Sequence, residues 1–345
     1  MIVATTQRPA HLHTALASVL DQAKESTWGE KIIEYAGRVC YASEPMMGRA
    51  PGFIGDRVRE GHYDIVEHAW ATYSFPMLLS AEFQLEILNA SRHAEIATKD
   101  GYTYVSGNLR VWRDLIRANV FSRLAKVLPF IAGVAPVVFA DLVNETDDRN
   151  YTAPVNYTKP EGIRSTIDLL GYSIVEGLIL NGFGEDRHNH ATFCINGISR
   201  VASHQLVRHR MASFSQSSMR YIDLQKGKWE AVIPPAIQAD PQAMRTIERL
   251  WEEAEIAYAS LRGHGIRKED ARFLLPNAAS TKIVVSMNFF YWKHFLWLRA
   301  LDKAAQWEIR AMGQDILKLL YALQPDSFMK EMDYYTANEE ALTKR

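Results

Sequence analysis

A strand-like run that ends at an asparagine and leads into a long helical pattern occurs twice in this chain. The first copy is Tyr104–Trp112 and the second is Val284–Trp292. Repetition of the same order of elements within one sequence is typical of an internal duplication. We therefore predict two related halves, each built from strand-like runs followed by helices. The predicted units are residues 1–150, a degenerate N-terminal half, and residues 151–345, a C-terminal half that carries the chemistry.

A second pair of matching runs supports this division. The strand-like run that begins at Glu67-His68 resembles the one that begins at Arg187-His188. The distance from this run to the asparagine is longer in the second copy, where a polar arginine- and serine-rich segment intervenes. Residues 144–161 are polar and contain prolines, which makes them the best candidate for a linker. A chance likeness of two amphipathic units remains the alternative to duplication.

Periodicity predicts the remaining elements. Apolar residues that recur about every 3.6 residues predict helices, whereas β-branched or aromatic runs with a period of 2 predict strands. The predicted helices are 30–41, 79–97, 108–128, 244–261 and 289–323, and the predicted strands are 67–75 and 281–288. A further helix opens at Gly197–Arg200, and on it Arg200, His204 and Arg208 are expected to share one face.

Composition limits the class of protein. The 345 residues have a formal net charge of −1, a hydrophobic fraction of 48% and two cysteines. Near-neutral charge argues against bulk nucleic-acid binding, and so few cysteines fit a reducing compartment rather than a disulfide framework. The first twenty residues lack a basic and then apolar leader pattern, and the longest apolar stretch, 127–143, is interrupted by prolines. We expect a cytoplasmic protein with no membrane or nucleic-acid partner.

The charged residues are unevenly distributed along the chain. Between Asp186 and Asp223 there is no carboxylate, yet the segment contains five arginines and four histidines. Guanidinium groups bind phosphates through paired donors, and clustering them without acids costs free energy through mutual repulsion. A bound anion is the simplest compensation, so this segment is predicted to form a phosphate-binding surface.

Several common chemistries lack their sequence signature. There is no dinucleotide-binding glycine fingerprint, no phosphate-binding lysine loop, no paired-cysteine motif and no zinc-protease motif. His188-Asn189-His190 has no carboxylate or cysteine at a spacing that would complete a metal site. Cys40 and Cys194 lie inside regular-element patterns, where thiols are usually buried and inert.

The centre of the arginine-rich segment resembles a known signature. Arg208-His209-Arg210, followed by Ser213, Ser218 and Arg220-Tyr221, is similar to the motif of the flavin-dependent thymidylate synthases. Further segments resemble other parts of that family: EYAGRVCYAS (34–43), GHYDIVEH (61–68), GISRVASHQLV (197–207), ARFLLPN (271–277), TKIVVSMN (281–288) and AQWEIR (305–310). Residues 78–187 lie where a typical member runs directly from strand to helix.

The resemblance implies a reaction and its ligands. The family has a mixed α/β fold, so the resemblance implies an α+β fold with a mixed sheet packed by long helices. Members of the family are homotetramers that methylate dUMP at C5 to form dTMP. Methylenetetrahydrofolate supplies the carbon, and NADPH supplies reducing equivalents through FAD. A guanidinium near the N3/O2 edge of uracil would stabilise the negative charge that develops during methylation.

The resemblance also assigns roles to individual residues. It implies that the catalytic residues are Arg299 and Ser218. The implied FAD-binding residues are Arg208, His209, Arg210, Gln216, Asn288 and His294. The implied dUMP-binding residues are Gln205, Arg208, Gln216, Ser217, Ser218, Met219, Arg220, Arg272 and Arg299. No metal site is implied.

The sequence departs from the family pattern at three places. Phe290 stands where the family usually has an arginine, although Arg110 occupies the corresponding place in the first copy. The interval from Arg299 to the following glutamine is one residue longer than usual. The Glu-His pair before the strand is intact in the first copy, at Glu67-His68, and has become Arg187-His188 in the second copy. The residues leave open whether His68, His188 or His190 faces the flavin.

Alternative functions remain open at this stage. A flavoprotein that keeps the FAD site but serves as a non-catalytic scaffold or regulator would share the same motif. A nucleic-acid-binding module gains little support from a chain of near-neutral pI without interleaved aromatic and basic residues. If the duplication is real, one chain imitates two subunits, and a homodimer would replace the usual tetramer.

Overall fold

Two antiparallel sheets organise the part of the chain that a computed structural model describes. That part comprises residues 1–118, 120, 127–143, 165–175, 178, 184–219 and 230–343. Its strands are β1 (Ile2–Thr5), β2 (Trp70–Phe75), β3 (Glu95–Lys99), β4 (Tyr102–Asn108), β5 (Thr166–Ser173), β6 (His190–Ser199), β7 (Ser213–Gln216) and β8 (Ser280–Asn288). The first sheet has the order β1-β2-β4-β3 and the second the order β5-β6-β8-β7.

Helices cover both sheets. They are α1 (Thr14–Leu20), α2 (Trp28–Tyr41), α3 (Ala50–Arg59), α4 (Ala81–Ala90), α5 (Leu109–Arg117), α6 (Val127–Ala132), α7 (Pro136–Val143), α8 (Gly184–His188), α9 (Arg200–Leu206), α10 (Pro235–Gln238), α11 (Pro241–Gly263), α12 (Lys268–Ala271), α13 (Phe289–Arg299), α14 (Trp307–Leu323) and α15 (Pro325–Thr343). Short 3-10 turns lie at Glu44–Met46, Ile65–His68 and Arg272–Leu274.

The segregation of helices and antiparallel strands confirms the predicted α+β class. The prediction of a mixed sheet was wrong, because every strand pair in the described ranges is antiparallel. Antiparallel strands need no crossover helix between them, so short turns and local helices suffice to connect them.

The two sheets match each other in register as well as in strand order. In the first sheet Thr72 pairs with Ser106, and their hydroxyl oxygens lie 2.8 Å apart. In the second sheet Thr192 pairs with Ser286, and their hydroxyl oxygens also lie 2.8 Å apart. All four side chains are buried, so each hydroxyl pair satisfies polar groups that would otherwise be costly inside the core.

The helix that follows the inner strand begins in the same way in both halves. The side-chain oxygen of Asn108 accepts from the backbone N–H of Val111 at 3.0 Å, and Asn288 accepts from Tyr291 at 3.1 Å. Such N-caps stop a strand and start a helix because they satisfy an otherwise unpaired N–H group. The sequence prediction that both asparagines mark a strand-to-helix junction is confirmed, whereas the duplication itself stays a prediction.

A seam joins the two sheets along their first strands. Gln7, just after β1, exchanges backbone hydrogen bonds with Tyr172 of β5, at 2.6 and 3.2 Å. Gly171 makes this approach possible, because a β-carbon there would lie 2.9 Å from Thr6 Cγ2 and 3.2 Å from the carbonyl oxygen of Gln7. The two halves therefore share a continuous interior instead of meeting through exposed surfaces.

Each sheet has its own apolar core, and a third core lies between the halves. The core of the first sheet includes Trp112 of α5 and Phe139 of α7. The core of the second includes Trp292 of α13 and Phe328 of α15. The third core places α2 of the first half against Leu170 and Val284 of the second sheet. Because α2 is buried along most of its length, the first half is packed onto the site-bearing half.

Three predicted elements have different bounds in the structure. The predicted helix 79–97 ends at Ala90, and its last residues belong to β3; the predicted helix 108–128 is interrupted after Arg117. The predicted strand 67–75 begins only at Trp70, after a 3-10 turn. In each case apolar spacing continued across a break that depends on tertiary contacts, which periodicity does not report.

The predicted long helix 289–323 is two helices. It breaks after Arg299, and a new helix begins when the Gln306 side chain accepts from the N–H groups of Glu308 and Ile309. Gln314 then donates to the carbonyl of Ala300 at 3.3 Å, which folds α14 back against the end of α13. The break positions Arg299 at a helix terminus.

Two predictions fall wholly or partly on residues outside the described ranges. The linker 144–161 lies outside the described residues, and so do residues at the boundary of the two predicted units.

In the described ranges, no helix combines the length and apolar character needed to cross a membrane.

Replacing Asn108 with alanine tests the N-cap. We expect Asn108→Ala to lower the free energy of unfolding by about 1 kcal/mol, because the first turn of α5 loses its side-chain acceptor. Asn108→Asp keeps an acceptor and should retain most of that stability. Urea unfolding of the three proteins measures the difference, and equal midpoints for all three would contradict the assignment.

Candidate active site

The signature segment forms a turn between α9 and the edge strand β7. Ser199 caps α9, and its N–H and hydroxyl both donate to the buried carboxylate of Glu308 at 2.6 Å. The helix ends at Leu206, so Arg208 lies in the turn beyond it. The prediction that Arg208 shares a helical face with Arg200 was therefore wrong, because the last residues before the motif leave the helix.

Two guanidinium groups lie beside the end of β7. Arg200 donates to the carbonyl of Ser217 at 3.3 Å, and its buried Nε has no hydrogen-bond partner among the described residues. Burial, together with the nearby positive charge of Arg272, lowers the pKa of Arg200. A bound anion would supply the missing acceptor and offset the repulsion between the two cations.

The predicted catalytic arginine contacts the signature motif directly. Arg299 Nε lies 3.4 Å from His209 Nε2, and the rings of His209 and His294 make an edge contact at 6.1 Å. Burial, with Arg299 and His294 nearby, lowers the pKa of His209 to about 4. His209 is therefore neutral at pH 7 and accepts the hydrogen bond, which orients the guanidinium of Arg299.

The N-terminal half holds the strand that carries the signature. The Ser213 hydroxyl donates to Glu67 at 2.7 Å, and Ser215 Oγ lies 2.9 Å from His68 Nε2. The Ser218 backbone N–H donates to the carbonyl of Cys40 at 3.1 Å. Sequence reasoning assigned no role at this site to Glu67 or to Cys40. The available signal was the intact Glu-His pair, which the second half replaces with Arg-His.

The other predicted ligand-binding residues lie on or near the same turn. Arg208 and Arg210 are exposed, whereas Gln205 and Met219 are half-buried, and Gln216 donates to Thr281 at 3.2 Å. Arg220 lies outside the described residues. The roles implied for these residues stay predictions.

Asn288 has a structural use in addition to its predicted role. Its side-chain oxygen caps α13, its side-chain nitrogen donates to the carbonyl of Arg187 at 3.3 Å, and the residue is buried. Contact with a flavin would therefore require the ligand to approach a residue whose hydrogen-bonding groups already have partners in the chain.

Not every arginine of the acid-free segment contributes to this surface. Arg187 lies 3.5 Å from Glu95, and its guanidinium covers the ring of Phe290 at 4.0 Å. Its charge is neutralised by an acid from elsewhere in the chain. The prediction of one phosphate-binding surface over the whole segment was therefore too broad, and for the part after α9 begins it stays a prediction.

The three histidines left open by the sequence all lie in the interior. His68, His188 and His190 are buried, and desolvation lowers their pKa values to about 3, about 4 and about 3. His68 and His188 contact serine hydroxyls, and His190 stacks on Trp70 at 4.7 Å. These histidines act in packing the two sheets together.

The two thiols are poor nucleophiles in this structure. Burial raises the pKa of Cys40 and of Cys194 to about 11. The reactive form is the thiolate, which is scarce at neutral pH for such groups. A mechanism that needs an activated cysteine has no support from either residue.

Comparison with known proteins matches this same part of the chain. Residues 186–326 match the family model described as "Thymidylate synthase complementing protein". The resemblance seen in the signature motif is thereby confirmed for a segment that includes β6 through α14.

Three relatives named flavin-dependent thymidylate synthase illustrate the similarity. The Geobacter sulfurreducens protein is 45% identical over 141 residues, which are 41% of this chain and 60% of that protein. The Thermococcus kodakarensis protein is 46% identical over 142 residues, 40% and 58% respectively. The Sulfurisphaera tokodaii protein is 41% identical over 155 residues, 45% and 59%. The chain thus matches about 60% of the length of these relatives.

The buried histidines predict a pH dependence of stability. Their folded pKa values lie below the ordinary value of about 6.5, so the unfolded chain binds more protons below that pH. We expect the free energy of unfolding to decrease as the pH falls from 7 towards 4. Buried carboxyls with raised pKa values, such as Asp186, act in the opposite direction.

A variant isolates the histidine contribution. His188→Gln removes one proton-binding group, so its unfolding free energy should depend less steeply on pH than that of the wild type. Urea unfolding at pH 7.5 and pH 5 measures both slopes. Parallel slopes would contradict a buried neutral His188.

Proposed function

We propose that this chain is a flavin-dependent thymidylate synthase that methylates dUMP to dTMP. The observation that carries the proposal is the group of arginines around the signature turn: Arg200 on the carbonyl of Ser217, Arg272 near Arg200, and Arg299 on His209. None of these guanidiniums has a carboxylate partner among the described residues. Relatives that match this segment carry the name of that activity.

The available donors suit the ligands of the reaction. FAD contains a pyrophosphate and dUMP a phosphate, and each requires several N–H donors with positive charge. The buried, unpartnered Nε of Arg200 fits such an acceptor. We assign the phosphate of dUMP to Arg272 and Arg220, and the flavin to Arg208, His209 and Arg210.

The residues of the chain perform the electrostatic part of the chemistry. Reduced FAD supplies a hydride when bound, with NADPH as its reductant and methylenetetrahydrofolate as the carbon source. Arg299 stabilises negative charge on the N3/O2 edge of uracil, and neutral His209 holds the guanidinium in place. Ser218 donates a hydrogen bond near the ring. A fixed guanidinium needs no reorganisation when charge develops on the ring.

One observation favours a second candidate function, a flavoprotein without catalytic activity. Phe290 replaces an arginine of the family pattern, and Arg187 covers its ring instead of facing a ligand. Loss of a flavin contact would leave a protein that binds FAD without turnover. Purified protein that is yellow and never forms dTMP would support this alternative.

Replacing Arg299 with alanine tests the proposed reaction. We expect Arg299→Ala to lower the release of tritium from 5-labelled dUMP at least 100-fold, since oriented donors contribute on that scale. The bound FAD spectrum should be unchanged. Arg59→Ala, on the exposed face of α3, is the matched control and should retain full activity. Full activity of Arg299→Ala, or no release by the wild type, would overturn the proposed function.

We further propose that the active assembly is a homodimer. Helix α11 and the adjoining turn expose large apolar side chains, with Leu250 50%, Ile256 63% and Phe273 85% exposed. A second copy of the chain would cover them, and Phe273 directly follows the predicted dUMP ligand Arg272. The site would then lie beside the interface between the two copies.

Light scattering tests this assembly. We expect a particle of two chains, which Phe273→Asp should shift towards single chains because a charge at the buried interface is costly. Lys318→Asp, on the exposed side of α14, is the control and should remain dimeric. A four-chain particle, or a monomeric wild type, would contradict the proposal.

A further inference from the structure

Among the described residues, the strand that carries the signature motif has one neighbour in its sheet. β7 lies at the edge of the order β5-β6-β8-β7 and pairs with β8, from Ser213↔Ser286 to Gln216↔Ile283. An edge strand of four residues has few ladder hydrogen bonds to fix it. Its position must depend on contacts from outside the sheet.

Those contacts come from two consecutive residues of the N-terminal half. Glu67 accepts from the hydroxyl of Ser213 at 2.7 Å, and His68 Nε2 lies 2.9 Å from the hydroxyl of Ser215. Side chains two residues apart in a strand lie on the same face. One face of β7 is thus held at both ends, while Phe214 on the other face packs against the second core.

His68 also bonds the neighbouring strand. Its Nδ1 lies 2.7 Å from the hydroxyl of Ser286 on β8, so one imidazole connects both strands. A neutral imidazole has one donor and one acceptor, and hydroxyls serve as either, so both contacts are satisfied. Because His68 is fully buried, any loss of these bonds leaves polar atoms of the core without partners.

Glu67 has a second partner that fixes its orientation. Its other carboxylate oxygen accepts from Arg110 at 2.6 Å. The two oxygens therefore serve different groups, one from each half of the chain. This arrangement restricts the carboxylate to the rotamer that faces β7.

The corresponding place in the other half has the same geometry without the signature. His188 Nδ1 lies 2.7 Å from Ser106 on β4, as His68 does from Ser286 on β8. The preceding residue, Arg187, contacts Glu95 on β3 at 3.5 Å, as Glu67 contacts Ser213 on β7. The chain therefore contains two similar clamps, each with a buried histidine, and one of them touches the signature strand.

We propose that Glu67 and His68 are positioning residues for the nucleotide and flavin site. They hold β7 and, through it, the backbone of residues 208–218 in the geometry that binds ligands. The N-terminal half, whose own strands lack the signature, thereby contributes to the chemistry of the C-terminal half. This inference rests on the proposed function, because it concerns binding of the same ligands.

The test compares full-length variants at the two clamps. We expect His68→Ala to weaken the binding of dUMP and FAD about tenfold, measured by calorimetry and flavin fluorescence. Amide exchange should accelerate at 213–218 in this variant. His188→Ala removes an equally buried histidine and should leave ligand binding within about twofold of the wild type, with faster exchange confined to β4.

Variants of Glu67, and a double-mutant cycle between His68 and Ser215, keep the test decisive if His68→Ala fails to fold. Glu67 is only partly buried, so Glu67→Ala should fold. This variant should weaken the binding of both ligands and accelerate amide exchange in β7. Glu67→Gln keeps an acceptor for Ser213 and should restore most of the binding. Glu95→Ala is its control. Ser215→Ala combined with His68→Gln should weaken binding no more than His68→Gln alone, because the contact with His68 that Ser215→Ala removes is already lost in that variant.

The outcomes separate this inference from the reaction it serves. Unchanged ligand affinity in Glu67→Ala and His68→Gln, with a wild type that binds both ligands, overturns the positioning role and leaves the proposed function standing. A wild type that binds neither dUMP nor FAD overturns both. Equal loss of binding in His68→Ala and His188→Ala also overturns the positioning role, because it reports general destabilisation.

Discussion

Burial of polar groups between the two sheets is the constraint on which the rest of the structure depends. His68 bonds Ser286, His188 bonds Ser106, and both imidazoles are kept neutral by their surroundings. An unsatisfied polar group in such a place costs free energy that no apolar contact replaces. The halves must therefore dock in one register. That register also decides where β7 lies, so the fold and the site have a common origin.

The sequence predicted those features that depend on neighbours along the chain. The N-cap asparagines, the amphipathic helix α11 and the apolar strand β8 each have a local pattern, and the structure contains each of them close to the predicted bounds. The helix predicted for 289–323 shows the limit of this approach. Its apolar spacing continues through the break at Ala300, which is enforced by the return of Gln314 from α14. Periodicity does not report such a contact.

The same limit applies to the candidate site. The clustering of arginines near the motif was visible in the sequence, as was the resemblance of the motif to a known family. The sequence did not indicate that Glu95 neutralises Arg187, because the partners are far apart in the chain and lie on either side of the predicted linker. Nor did it indicate that Arg299 would meet His209, since the contact depends on where α13 ends. A charge pattern in the sequence therefore indicates the kind of ligand that a segment could bind. It does not indicate which of the charged residues face that ligand.

The seam between β1 and β5 has a consequence for how the protein behaves on dilution. Because Gln7 and Tyr172 belong to one covalent chain, the contacts that the first half makes with the second are unimolecular. Their effective concentration is set by the connecting polypeptide and not by the amount of protein in the cell. Support for the signature strand consequently persists at concentrations where a separate subunit would dissociate.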